Sequence, residues 1–131
     1  MLPRNRWFIG AALAYALLGG LLGLTWLAFP EGLPAYALRA HAHLMLVGFV
    51  GMMIFGVGLH VLPRFTGRVL FSERLADAQF VLVNVGLLAM VVGWLTNGPR
   101  VVTAGGALLW AGFLLFALNV VATVRPWARR G

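Results

Sequence analysis

Four apolar stretches govern what this chain can become: Trp7 to Phe29, Leu38 to Leu62, Leu75 to Thr96 and Val101 to Val124. A helix rises 1.5 Å per residue, so each stretch reaches across a hydrocarbon core of about 30 Å. None holds an Asp, Glu, Lys or Arg in its interior; Arg39 and Asp77 lie close to the ends of theirs. With 62% hydrophobic and 10% charged residues, the composition is also far from that of a soluble domain. The expected fold is all-α and integral to the membrane. Residues 1–131 make a single domain with four transmembrane helices in an up-down-up-down bundle. The first stretch exceeds a signal-peptide core and reads as a retained span, although Ala35-Tyr36-Ala37 has the small residues of a cleavage site.

The formal net charge of +7 comes from ten arginines, no lysine and three acids. In a soluble chain that balance points to nucleic acid, but here its distribution decides. Arg4 and Arg6 precede the first span, Arg64, Arg68 and Arg74 separate the second from the third, and Arg125, Arg129 and Arg130 follow the fourth. Only Arg39 and Arg100 fall on the other side. Such an asymmetry predicts a protein of the inner (cytoplasmic) membrane with both termini cytoplasmic, surrounded by lipid bilayer and binding no nucleic acid. The absence of cysteine removes disulfides, thiolate metal sites and thiol catalysis.

Turn residues separate the spans: Pro30-Glu31-Gly32-Leu33-Pro34 and Thr96-Asn97-Gly98-Pro99 on one side, and the longer Pro63 to Ser72 segment on the other. Ser72 is placed to cap the third helix, with Glu73 and Asp77 near its positive end. Gly19, Gly20 and Gly23 in the first span, and Gly105, Gly106 and Gly112 in the fourth, suit close helix approach. Asn84, Asn119 and His60 sit toward the cytoplasmic side and are expected to share a hydrogen-bonded polar layer.

Every histidine lies in the second span, within RAHAHLMLVGFVGMMIFGVGLHVLPRFTGR from Arg39 to Arg68. Ionisable residues inside spans are rare and point to function. His43 and His60 are about 25 Å apart along a helix, too far to bind one ion. At about 100° per residue, His41 and His43 face nearly opposite ways. One stripe carries His41, Met45, Gly48, Met52, Phe55 and Leu59, with Gly56 beside it; the other carries His43, Val50, Ile54, Val57 and Val61. Gly48 leaves a gap below His41 where a flat macrocycle or another helix can lie against bare backbone, and an axial imidazole above such a gap suits heme. His41 is the first choice of iron ligand and His43 the second. Met45 and Met52 serve as polarizable packing or soft ligands, and Arg39 is placed to pair with propionates or to anchor at the interface. His60 either ligates a second metal centre or bonds to Asn84 or Asn119.

The run His41-Ala42-His43-Leu44-Met45, with Gly48, Gly56, Pro63 and Phe65-Thr66-Gly67, resembles the histidine helix of the NnrS family, which runs from W-H-A-H-E-M-x-x-G to P-x-W-T-G. An Arg and His opening the helix and a Pro closing it are similar to the low-spin heme helix of the catalytic subunit of heme-copper oxidases and nitric oxide reductases. The resemblance implies a heme- and copper-containing membrane protein, linked in the NnrS case to nitric oxide, with His41, His43 or both as ligands. Leu44 stands where NnrS proteins tend to have Glu, and His60 where they tend to have Thr. An oxidase-type centre needs two hemes and a three-histidine copper site. Three histidines cannot supply that, so an autonomous oxygen or nitric oxide reductase is disfavoured.

The expected function is therefore heme b binding, for electron transfer or for holding nitric oxide or another diatomic gas, in a homo-oligomer or in a respiratory or denitrification membrane complex. Two alternatives differ in class. A copper-handling or assembly factor would use His41, His43 and Met45, and requires the helix to begin after the H-x-H pair. A structural subunit would use the histidines as packing.

Overall fold

The computed structural model describes residues 2–125. Arg129 and Arg130, which contribute to the charge asymmetry, lie outside them. Four helices, α1 (Pro3–Ala28), α2 (Ala37–Thr66), α3 (Glu73–Leu95) and α4 (Pro99–Val124), are long and apolar enough to cross a membrane, and they run alternately up and down. No strand occurs among the described residues. The expected all-α bundle is observed. The connections Pro30–Gly32 onward and Thr96 to Gly98 form one end, the hairpin end. The starts of α1 and α3 and the ends of α2 and α4 form the other, the terminal end.

The helices extend past the expected limits for local reasons. Pro3 occupies the first turn of α1, where its missing N–H leaves nothing unpaired. α2 continues through Pro63 to Thr66 and stops only at Gly67, which is left-handed at φ 64°. There Arg68 N–H donates to Pro63 O (2.9 Å) and Gly67 N–H to Arg64 O (3.2 Å), the paired closure that glycine permits at a helix end. Ser72 caps α3 as expected, its hydroxyl accepting from Leu75 N–H at 3.2 Å.

An aromatic cluster joins all four helices in the terminal half. Phe8 of α1 meets Phe80 of α3 edge-on at 5.0 Å and Phe55 of α2 at 6.3 Å. Phe55 in turn meets Phe116 and Phe113 of α4 at 4.7 and 5.1 Å. Such tilted pairs add about 0.5–1.5 kcal/mol each beyond their burial. Toward the hairpin end, α3 and α4 touch backbone to backbone: a Cβ on Gly86 would lie 2.7 Å from Gly105 O, and one on Gly105 would lie 2.6 Å from Gly86 O. Gly112 and Gly93 extend this contact line. Gly20 has nothing within 4 Å and Gly106 only Met90 at 3.9 Å, so these two do not mediate close packing.

The expected polar layer does not form. Asn84 accepts from Tyr15 OH at 2.6 Å and donates to Phe80 O. Asn119 serves the segment before α3: its Nδ2 donates to Ser72 O at 2.8 Å and its Oδ1 accepts from Ser72 N–H at 3.0 Å. Thr123 accepts from Phe71 N–H, and Arg68 donates to the carbonyls of Thr123 and Arg125. The two asparagines thus serve different helix pairs, and among the described residues neither bonds to His60.

Candidate cofactor site

The middle of α2 departs from α-helical geometry. Between Ala37–His43 and Met52–Thr66, the run Leu44–Gly51 is π-helical. A π turn closes on i+5 and so takes in more residues than an α turn, shifting the faces above it relative to those below. This corrects the second of the two expected stripes. Val50, Ile54 and Val57 are exposed, whereas His43, which a regular helix groups with them, turns inward against Trp94 of α3, ring centroids 4.5 Å apart.

His41 points the other way, onto α1. Its Nδ1 lies 2.7 Å from the carbonyl oxygen of Gly19. A carbonyl only accepts, so Nδ1 carries the proton, which leaves Nε2 as the ring nitrogen that can serve as a ligand. The ring rests where Gly23 has no side chain: a Cβ there would lie 2.7 Å from His41 Cε1 and 2.9 Å from Nδ1. Met45 fills the next notch, its sulfur 2.7 Å from where a Gly19 Cβ would be. Below them the gap at Gly48 is closed by another helix, since a Cβ there would meet Tyr15 Cβ and Cγ at 2.7 Å. Met52 is wholly buried in the core.

The open glycine surface near His41 belongs to α1. Gly20, Gly23, Leu24, Trp26 and Leu27, with Leu38 and His41, line a cavity of about 450 Å³. Its size is in the range of small-molecule sites, and its wall is largely apolar. His43 also donates from Nδ1, to Arg39 O at 3.0 Å on its own helix, but it does not line this cavity. Nor does Arg39. Its guanidinium lies over the Tyr36 ring at 5.1 Å and borders a second cavity of about 510 Å³ with Trp94, Asn97 and Thr103.

His41 and His43 therefore do not act together. α2 is helical from Ala37, so the late helix start that a chelating H-x-H pair needs is absent, and the two rings diverge to α1 and α3. No group of three or more His, Cys, Asp or Glu side chains with metal-binding geometry occurs among the described residues. His60 lines a third cavity, at the terminal end of α2.

Several contributors carried no recognisable mark in the sequence. Tyr15, the Gly19 carbonyl and Trp94 matter because of which helix faces which, and spacing within one helix does not reveal that. Gln79 is fully buried on α3, with neither side-chain Oε1 nor Nε2 hydrogen-bonded.

The bundle and its imidazole-bearing second helix make a multi-pass membrane protein. Residues 5–102, which run from α1 into the start of α4, match the family described as cytochrome c and quinol oxidase polypeptide I, and the chain belongs to that family. Comparison with curated proteins and with solved structures returned no match.

Proposed function

We infer that this protein binds heme b through His41 and uses it for electron transfer or for holding a diatomic gas such as nitric oxide. The observation that carries this reading is the bond from His41 Nδ1 to Gly19 O. Metal-bound imidazoles characteristically donate their second ring N–H to a carbonyl or carboxylate, which fixes the tautomer and aims the lone pair of the other nitrogen at the metal. The adjoining apolar cavity and the bare surface at Gly20 fit a flat, greasy group. Membership of the oxidase polypeptide I family supports the same cofactor.

Within this reading each residue has a limited task. His41 would hold the iron through Nε2, and Gly19 would hold the ring and raise its basicity. Leu24, Trp26 and Leu27 would exclude water. When bound, the heme would supply one-electron and gas-binding chemistry, with its potential set by the ligand and its surroundings. His43 and Arg39 lie on the other side of α2, so neither supports the same group. The NnrS-like histidine run favours gas binding over a heme shared with a neighbouring subunit. By the arginine asymmetry we place the terminal end in the cytoplasm of the inner membrane, with the heme near the outer boundary.

The test is the absorption spectrum and pyridine hemochrome of detergent-purified protein expressed with ample heme. Wild type is expected to carry heme, His41→Ala to lose it and His43→Ala to keep it. A colourless, folded wild type defeats the proposal, and so does a His41→Ala variant with undiminished heme.

A further inference from the structure

The cavity beneath His60 lies at the far end of α2 from His41, and nothing assigned to the heme site uses it. It measures about 360 Å³. Its wall is divided. Leu59, Pro63 and Leu70 supply apolar surface, while His60, Asn5, Arg64 and Glu73 supply polar groups. It sits at the last turn of α2, whose Phe65 is 85% exposed, beside a connection whose Val69 and Phe71 are 88% and 64% exposed. Side chains of that kind, next to arginines, belong at the level of lipid headgroups.

Charge decides what the cavity takes. Two acids are near, Glu73 and Asp77, and both are engaged by Arg4: its guanidinium contacts Asp77 and lies 3.4 Å from Glu73. Arg68 is occupied by the carbonyls of Thr123 and Arg125. Arg64 has no acidic partner among the described residues, and His60 has no hydrogen-bond partner there. The groups of the cavity without an acidic partner are thus a guanidinium and an imidazole N–H, set above an apolar floor at the membrane boundary. A guanidinium binds phosphate oxygens in pairs, and basic pockets between spans at this level hold anionic headgroups.

We propose that this cavity binds an anionic phospholipid, the phosphate held by Arg64 and His60 and an acyl chain lying along Leu2, Val69 and Leu70, the exposed and half-buried apolar side chains of its wall. Glu73 lines the same wall and opposes the anion; Arg4, which it shares with Asp77, offsets that repulsion in part, and the exposure of the Glu73 side chain to solvent weakens it further. The proposal is independent of heme and needs only the spanning fold.

The test uses the full chain purified in mild detergent, incubated with mixed micelles of phosphatidylglycerol and phosphatidylcholine and read by native mass spectrometry. Wild type should retain phosphatidylglycerol in preference to phosphatidylcholine. Since each basic group near the surface is worth about 1 kcal/mol, Arg64→Gln should lower that preference about fivefold, and Arg64→Lys should retain most of it. Arg100→Gln, at the hairpin end, should change nothing. A wild type without preference overturns the proposal whatever the variants do, and so does an undiminished preference in Arg64→Gln. Displacement of the lipid by inorganic phosphate also overturns it, because the site would then serve a free anion.

Discussion

Tyr15 donates its hydroxyl to Asn84 Oδ1 at 2.6 Å, and the same ring covers the bare backbone of Gly48. One side chain of α1 thereby ties α2 to α3 at mid-membrane. Gly48→Ala would set a methyl 2.7 Å from Tyr15 Cβ and 3.1 Å from Leu87 Cδ2, and the near atom of Tyr15 is the stem of the side chain, which has little freedom to move. Overpacking of this kind costs about 1–3 kcal/mol. Tyr15→Phe removes only the hydrogen bond, for which membrane proteins average about 0.6 kcal/mol. Unfolding in mixed micelles should rank Gly48→Ala well below Tyr15→Phe in stability, and the reverse order would contradict the packing described.

Gly23 tests the seat of the imidazole. A methyl at that position would lie 2.7 Å from His41 Cε1, so Gly23→Ala should rotate the ring away from Gly19 O. If heme is bound as proposed, its content per chain should fall about tenfold or more, the effect typical of losing the group that orients a metal-bound imidazole, while helicity by circular dichroism is unchanged. Gly10→Ala is the control, since nothing lies within 4 Å of its added carbon and it does not line the cavity. Equal heme content in the two variants would separate His41 from the cofactor.

The α3–α4 pair offers a contrast within a single helix. Gly105→Ala directs its Cβ at Gly86 O (2.6 Å) and Met90 N (2.8 Å), backbone atoms that move only if the helices part. Gly106→Ala meets only Met90 at 3.9 Å and gains the helix preference of alanine, about 0.8–1 kcal/mol in water. Thermal scans in detergent should show the first variant destabilised and the second unchanged or improved.

Asn119→Ala leaves Ser72 N–H and C=O without the carboxamide that satisfies both. Orphaning buried groups costs about 1–3 kcal/mol each, so the segment before α3 should loosen. Limited proteolysis near residues 67–72 should be faster than in wild type. Unaltered digestion would mean that Thr123 and Arg68 suffice to hold the segment.

Gln79 is the opposite case, a buried carboxamide with no bond to lose. Gln79→Met keeps the volume and removes two unpaired polar atoms, so stability should rise by about 1 kcal/mol or stay level. A clear loss of stability would mean that the carboxamide has a partner from outside this chain.

How much of this was legible beforehand differs from element to element. The four spans, their alternation, the Ser72 cap and the opposed directions of His41 and His43 follow from hydropathy, capping chemistry and helix periodicity. All of these are local. The π-helical run in α2 was not legible, and it broke up the expected grouping of His43 with Val50, Ile54 and Val57. The expected layer of His60, Asn84 and Asn119 failed for two reasons: Asn84 lies midway along its helix rather than toward the terminal end, and the neighbour across each residue is not encoded in the spacing.

The sequence alone determined that this chain spans a membrane four times and carries its imidazoles on the second span, because the cost of placing backbone and charge in lipid is decided residue by residue. Only the tertiary structure decided that Tyr15 rather than a cofactor fills the gap at Gly48, that the exposed glycine surface lies on α1, and that Gly19 orients His41. Those outcomes depend on the rotation of one helix against another. Close contacts between different helices fix that rotation, and no periodicity within a single helix encodes it.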